Sequence, residues 1–331
     1  MTMLTRMITA TETSLTEVGF GCASIAGLYR ACSEEAAQET LELAWQSGIR
    51  YFDTAPFYGA GLSEERLGRF LQTKARADYA ISTKVGRLLR PVSPSEAPDY
   101  GFIGGNPCVV EYDYSGAGIR RSIEASRHRT GLDHFDIVFI HDIGIETHGA
   151  DRNKVHLSAL VGSGFAELEA MKAEGIIGAW GLGVNEVEIC LTIMDHVRLH
   201  CILLAGRYTL LDRSAEASLL SRCAELGTGL VVGGIFNSGI LATGPVPGAH
   251  FNYQEASADI KERVAMLEKI AIDSGRDLAS LALQFPLRNP QVVSLLLGSS
   301  NPESLRRNLL SLEPRVPKEV FDACTVHTIG H

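Results

Sequence analysis

Four residues able to bind or move a proton lie in the first half of the chain, three of them at or near the ends of apolar runs. Asp53 closes "IRYFD", Lys84 falls near the end of "YAISTKV", and His141 closes "FDIVFIH". Tyr58 follows Asp53 by five residues, inside the glycine-rich stretch "TAPFYGAG". A tyrosine is a poor acid or base near neutrality, with a reference pKa of about 10. A neighbouring ammonium stabilises the phenolate and lowers that value, and a carboxylate paired with the same ammonium keeps it charged and in place. An imidazole can orient a substrate oxygen or relay its proton. Together the four suit proton transfer at a carbonyl or alcohol oxygen. They include no obvious nucleophile and no metal set, so the other half of the reaction falls to a cofactor, and hydride exchange with a nicotinamide fits. Taken singly, each has a plainer reading: Asp53 as a turn residue, Lys84 as a solvated charge, His141 and Asp142 as a satisfied loop pair, Tyr58 as cover for a barrel end. Jointly those readings weaken. An Asp and a Lys ending apolar runs are both partly buried, and buried charges need partners.

For the four to meet, the chain must deliver successive strand ends to one rim. Apolar runs predict strands over 17–25, 49–53, 79–85, 135–142, 177–184, 200–206, 229–235 and 292–299. Between them, amphipathic stretches predict helices over 33–48, 63–73, 116–130, 163–174, 185–197, 213–226, 256–274 and 277–287, with a last one over 302–311. Ser33 and Ser63 read as N-caps, and Pro302 as a first-turn residue whose missing N–H costs little. Residues 86–115 read as a long polar loop with no element of its own. Eight strands, several apolar on both faces, match parallel strands covered by helices. The expected fold is α/β: a (β/α)8 TIM barrel, one domain over 1–331, with extra helices and a long loop after the third strand. The alternative, a doubly wound sheet, needs a G-x-G-x-x-G turn after its first strand, and Gly19-Phe20-Gly21 has no third glycine at that spacing.

Charge and cysteine usage narrow the function classes. A net charge of −9 offers nothing to neutralise a phosphate backbone, so no nucleic-acid partner is expected. The seven cysteines are odd in number and scattered, without a C-x-x-C pair or a His at zinc-ligand spacing, so reduced thiols are expected and no metal. The stretch "MTMLTRMITATETSL" lacks the apolar core of a signal peptide. No run approaches the roughly 20 apolar residues that cross a bilayer. A cytoplasmic protein with a small-molecule substrate and no membrane partner is the expectation.

In order and over nearly the whole chain, "GIRYFDTAPFYGAGLSEERLG", "ISTKVG", "FDIVFIHD" and "GLGVNE" resemble the aldo-keto reductase superfamily. The resemblance implies a (β/α)8 oxidoreductase using NAD(P), with Tyr58 as general acid/base, Asp53 and Lys84 tuning it, and His141 positioning substrate. Asn185 matches the residue whose amide holds the nicotinamide carboxamide. "HDIGIETHG" and "AGRYTLLD" are most similar to a branch of sugar dehydrogenases that includes L-fucose (D-threo-aldose) 1-dehydrogenase, L-galactose dehydrogenase and pyridoxal 4-dehydrogenase. Substrates of that branch present cyclic hemiacetals, whose oxidation gives a lactone with Tyr58 acting as base.

The segment "LGSSNPESLRRNL" resembles the family's cofactor loop and the helix after it, placing Gly298, Ser299 and Ser300 against a phosphate at a helix N-terminus. Where NADP-preferring relatives carry basic side chains, this chain has Gly298 and Ser304, which implies NAD rather than NADP; Arg306 and Arg307 are the cations able to reverse that. Asn308 aligns with an adenine-contacting Asn. At the position of the family's ring-stacking aromatic stands Gly233, with Phe236 the candidate substitute, and Gly233, Gly234 and Gly239 permit close backbone approach. Ile25, Phe57 and His148 are the expected substrate contacts, beside Tyr100 and Phe102 of the long loop. The leading expectation is NAD-dependent oxidation of an aldose such as L-fucose to its lactone. The alternatives are a pyridoxal 4-dehydrogenase, an NADPH-dependent carbonyl reductase, and a channel-type regulatory β subunit.

Overall fold

The computed structural model describes residues 3–330. Eight parallel strands close into a barrel: β1 (Val18–Gly21), β2 (Tyr51–Asp53), β3 (Ala80–Val85), β4 (Phe135–His141), β5 (Ile177–Val184), β6 (Cys201–Ala205), β7 (Gly229–Gly233) and β8 (Val292–Leu297). They pair in chain order and β8 closes on β1. Helices α1 (Glu34–Gln46), α2 (Leu62–Leu71), α3 (Gly116–Thr130), α4 (Phe165–Ala173), α5 (Val187–Met194), α6 (Leu219–Leu226), α7 (Ala258–Asp273), α8 (Leu278–Leu287) and α9 (Pro302–Leu310) surround it. This is the (β/α)8 fold expected from the strand count.

The two-faced apolar strands split into two cores. On β2, Tyr51 and Asp53 turn into the barrel, while Phe52 packs outward against Trp45 and Phe70. On β4, Ile137 and Phe139 point in and Val138 and Ile140 point out. Each fully buried aliphatic side chain contributes about 1.5–3 kcal/mol. The alternation has a second consequence: the last inward positions of β2, β3 and β4 are Asp53, Lys84 and His141, all at the same rim. A short N-terminal hairpin, Thr5–Met7 with Ser14–Thr16, lies at the other end, and Ile8 and Leu15 plug the interior there.

Several local expectations change. Residues 86–115 contain an antiparallel hairpin, Arg87–Pro91 paired with Cys108–Tyr112. Its strands are too short and too polar to announce themselves. Helix α2 is entered through Gly61, whose φ of 94° needs no side-chain cap. Ser63 instead sits inside the first turn, bonded to the Thr54 hydroxyl (2.8 Å) and donating to the Cys22 carbonyl (3.0 Å). α6 starts only at Leu219, because Asp212 holds Ser214 in a turn through its amide and its hydroxyl. α4 is preceded by a further helix, Ala150–Ala159, joined to it by a wide π turn. Among the described residues no helix is long and apolar enough to cross a membrane.

Candidate active site

The rim where β2, β3 and β4 end holds a half-open cavity of about 510 Å3. At its base Lys84 is 2% exposed and donates to both oxygens of Asp53, at 2.8 and 2.6 Å, and to the Thr54 carbonyl at 2.9 Å. Ser82 donates to Asp53 Oδ1 at 2.7 Å and is itself bonded to the Tyr51 hydroxyl. Burial pushes the Asp53 carboxyl up from its ordinary value while Lys84 opposes it. All three ammonium protons therefore have acceptors, as a buried charge requires.

Tyr58 swings over this pair. The turn that carries it is pinned by the hairpin tip: Asn106 donates its amide N–H to the Gly59 carbonyl and its side chain to the Ala60 carbonyl. Phe102 stacks on the Tyr58 ring at 6.1 Å between centroids. The Lys84 ammonium lies 4.8 Å from the Tyr58 ring centre, and the His141 ring stands edge-on to it at 6.0 Å. Burial, and then the Asp53 and Asp142 carboxylates, hold the Tyr58 phenol well above its ordinary pKa. The sequence reading expected the ammonium to lower it. Lys84 spends its charge on Asp53, so the phenol stays protonated. His141 is held well below its ordinary pKa by burial, with Arg87 and Lys84 adding to the effect. Its Nδ1 is buried without a partner and its Nε2 lies 3.5 Å from the Asp142 carboxylate, which favours the proton on Nε2, facing the cavity. The resting site thus presents a phenol and a neutral imidazole N–H to whatever oxygen enters.

The opposite wall suits a flat ring that approaches backbone closely. Gly21, Gly233, Gly234 and Gly298 line it without side chains, and a Cβ on Gly298 would come within 3.1 Å of the Ser24 hydroxyl. Asn185 faces the same space, its amide held only by a 3.4 Å contact to the Tyr253 hydroxyl, and so is free to turn to a carboxamide. These residues fit the nicotinamide end of the cofactor implied by the sequence. Ser299, Ser300, Ser304 and Asn308 lie in the turn after β8 and along α9, off the cavity wall. Ser299 donates to the Asn301 carbonyl, and Asn301 caps the helix by accepting from Ser304.

Three expected contacts fall elsewhere. Ile25 is fully buried in the outer core, its carbonyl taken by Arg66, so it cannot touch substrate. His148 is buried behind the rim with Nε2 2.9 Å from the Tyr114 hydroxyl and its ring against His156. Burial is the main reason its pKa drops to about 4. Phe236 packs against the core, and the aromatic that reaches the cavity from the loop after β7 is Tyr253. Phe57 does line the cavity, together with Tyr100 and Phe102. Sequence reasoning missed Arg87, three residues past Lys84, and gave Asp142 no part in the chemistry. They form an ion pair at the cavity wall. Among the described residues no group of three His, Cys, Asp or Glu could hold a metal ion.

The chain is 41% identical over 326 residues to pyridoxal 4-dehydrogenase of Microbacterium luteolum, covering 96% of this chain and 95% of that protein. It is 39% identical over 297 residues to D-threo-aldose 1-dehydrogenase of a Pseudomonas species, covering 88% and 87%. A holo-form aldo-keto reductase of Bacillus halodurans superposes with a TM-score of 0.77 at 24% identity, over 99% of this chain and 97% of that one, a likeness of fold. The Aldo/keto reductase family model matches residues 17–329. With the barrel, the rim and these likenesses in agreement, the chain belongs to the aldo/keto reductase family, oxidoreductases that use nicotinamide cofactors.

Proposed function

We propose that this enzyme is an NAD-linked dehydrogenase that oxidises a cyclic hemiacetal, an aldose of the L-fucose type, to its lactone. The observation that carries the reading is the convergence of Tyr58, the Lys84–Asp53 pair and neutral His141 at the base of one cavity. The relatives named for D-threo-aldose and for pyridoxal support the substrate class, since both compounds close into hemiacetals. His141 donates from Nε2 to the substrate oxygen and holds it. Having first released its own proton to solvent, Tyr58 acts as the phenolate and takes the proton of the hemiacetal hydroxyl while the C–H bond breaks and the C–O bond becomes a carbonyl. Asn185 and the glycine wall of Gly21, Gly233, Gly234 and Gly298 would hold an oxidised nicotinamide, which would supply the hydride acceptor and a positive charge able to lower the pKa of Tyr58. Phe57, Tyr100 and Phe102 shield the site from water.

Preference for NAD is supported by Gly298 and Ser304, which stand where the family resemblance puts the basic residues of NADP users and cannot pair with a 2′-phosphate. Arg306 and Arg307 line a groove with Asp277 and Glu303 on the barrel wall. The enzyme is proposed to be cytoplasmic and to act on a small molecule. A second reading, oxidation of pyridoxal to its lactone, draws on the 41% relative and on the aromatic wall of the cavity.

Steady-state assays with L-fucose, L-galactose, D-arabinose and pyridoxal, each with NAD and NADP, test both readings. The expected result is turnover of an aldose with kcat/KM at least about tenfold higher for NAD. In the same assay Tyr58→Phe lowers turnover by about 10²–10⁴-fold with cofactor affinity kept, as for loss of a general acid/base. Turnover of no hemiacetal, or a near-normal Tyr58→Phe variant, overturns the assignment.

A further inference from the structure

Beside the four proton-handling residues the cavity holds a second buried ion pair. Arg87 begins the hairpin that follows β3, and Asp142 follows His141 directly. Arg87 is 7% exposed, and its Nη2 donates to Asp142 Oδ2. That is one donor used of five. Its Nε is buried with no partner, and among the described residues no acceptor pairs with Nη1. The guanidinium is held flat, its carbon 4.3 Å from the Phe57 ring centre. Asp142 adopts a left-handed backbone, φ 45°, its N–H bonded to the Gly183 carbonyl at 2.9 Å. Asp tolerates that conformation better than most residues, yet it still carries strain, and such strain gathers at functional sites.

Arg76, Arg127 and Arg213 also keep a buried Nε without a partner, but of the four only Arg87 lines the cavity, where an incoming oxygen can meet its free donors. The unfilled donors of Arg87 therefore ask for an acceptor, and the cavity is where one can come from. The pair also lies next to the reacting centre. Asp142 Oδ2 is 3.5 Å from His141 Nε2, and both charges act on the Tyr58 phenol, in opposite directions.

We propose that Arg87 and Asp142 are the specificity-determining residues of this enzyme and grip a neutral hydroxyl on the ring carbon next to the hemiacetal carbon. The assignment rests on the aldose reading above. Tyr58 and His141 occupy the hemiacetal hydroxyl, so the next oxygen around the ring falls to the neighbouring pair. Asp142 accepts the hydrogen bond of that hydroxyl, and Arg87 donates to its oxygen. A hydroxyl is the simplest group that satisfies both partners at once. The pair is neutral overall, so a phosphorylated or carboxylated sugar gains a contact from Arg87 only by placing its charge beside the Asp142 carboxylate. A site built this way rejects the analogue that lacks the hydroxyl, because two buried groups are then left unpaired. Arg is required for the planar fork and its stacking on Phe57, which a lysine cannot reproduce.

The test compares an aldose that is turned over with its 2-deoxy counterpart, using NAD and wild type, Arg87→Met, Arg87→Lys and Asp142→Asn. Wild type is expected to prefer the hydroxylated sugar by about 10²-fold or more in kcat/KM. Arg87→Met and Asp142→Asn are each expected to bring that preference within about tenfold. The change comes mainly from a raised KM for the hydroxylated sugar; a shift in the Tyr58 titration acts on both sugars alike and cancels in their ratio, which is read at one fixed pH. Cofactor affinity, read by fluorescence titration, stays at the wild-type value, and Arg87→Lys recovers little. Asp142→Asn keeps shape and backbone tolerance, so it carries the test if Arg87→Met fails to fold. Equal losses on both sugars in the two variants, with the preference intact, overturn the proposal and leave the aldose reading standing. Turnover of pyridoxal and of no aldose overturns both.

Discussion

Replacing Lys84 by Met removes the cation from a closed ion pair while keeping most of its volume, and the effect on stability is calculable. At about 2.7 Å and an effective dielectric of about 20, the attraction is about 6 kcal/mol before desolvation. Most of this is offset by the cost of burying both charges, but removing one partner strands the other, at about 3–5 kcal/mol. Asp53 has one escape. Burial already raises its pKa and Lys84 is the first opposing influence, so without Lys84 the carboxyl moves further up and takes a proton. The folded state then binds a proton that the unfolded chain releases near pH 3.9, so stability falls as pH rises above about 4, by up to about 1.4 kcal/mol per unit. At pH 5 the penalty from this source is about 1.5 kcal/mol. By pH 8 it reaches the full cost of an ionised, unpartnered carboxylate, so the loss relative to wild type grows by about 2–3 kcal/mol across that range. Urea denaturation at both pH values, followed by circular dichroism, measures it. The double variant Lys84→Met/Asp53→Asn has no charge to strand and is expected to be the more stable of the two at pH 8. A Lys84→Met penalty that is the same at pH 5 and pH 8, or a double variant no better than the single, refutes the reasoning.

For hemiacetal oxidation Tyr58 must lose its proton, and its pKa is raised, so kcat/KM is expected to climb with pH through the alkaline range. Asp142 is one of the charges raising it, and Asp142→Asn should move the midpoint to lower pH; a flat profile or an upward shift contradicts the acid/base assignment. A Cβ on Gly68 would lie 2.3 Å from the Thr130 carbonyl oxygen, where α2 crosses α3. Gly68→Ala must push the two helices apart and is expected to lose about 1–3 kcal/mol by urea denaturation with KM unchanged.

The barrel and its proton-handling rim are legible because a strand has a period of two. Once an apolar run is recognised and its end located, the inward position is fixed by counting, and Asp53, Lys84 and His141 fall on one side. Tyr58 is legible from its spacing to Asp53. Loop side chains obey no such count. Ser63 reads as a cap, yet Gly61 enters the helix and leaves Ser63 to bridge Thr54 and Cys22. His148 looks like a substrate contact from its distance along the chain to His141, yet Tyr114 and His156 claim it from elements remote in sequence. Arg87 and Asp142 were in plain view as letters. Their pairing spans two loops, and only the closed barrel brings those loops together.

The two ion pairs give the cavity a property neither has alone. Lys84 cancels Asp53, Arg87 cancels Asp142, His141 is neutral and Tyr58 is a phenol, so the resting site carries four charges and no net charge. In such surroundings Tyr58 answers chiefly to a charge that arrives. A unit positive charge about 5 Å away, at an effective dielectric of about 20, is worth about 3 kcal/mol, or about two pKa units. A tyrosine tuned by Lys84 alone would be acidic at all times and would gain less from that arrival. Here burial and two carboxylates hold the phenol protonated, and a bound cationic ring would lower its pKa, so that the phenolate would become available when a hydride acceptor is present to complete the reaction.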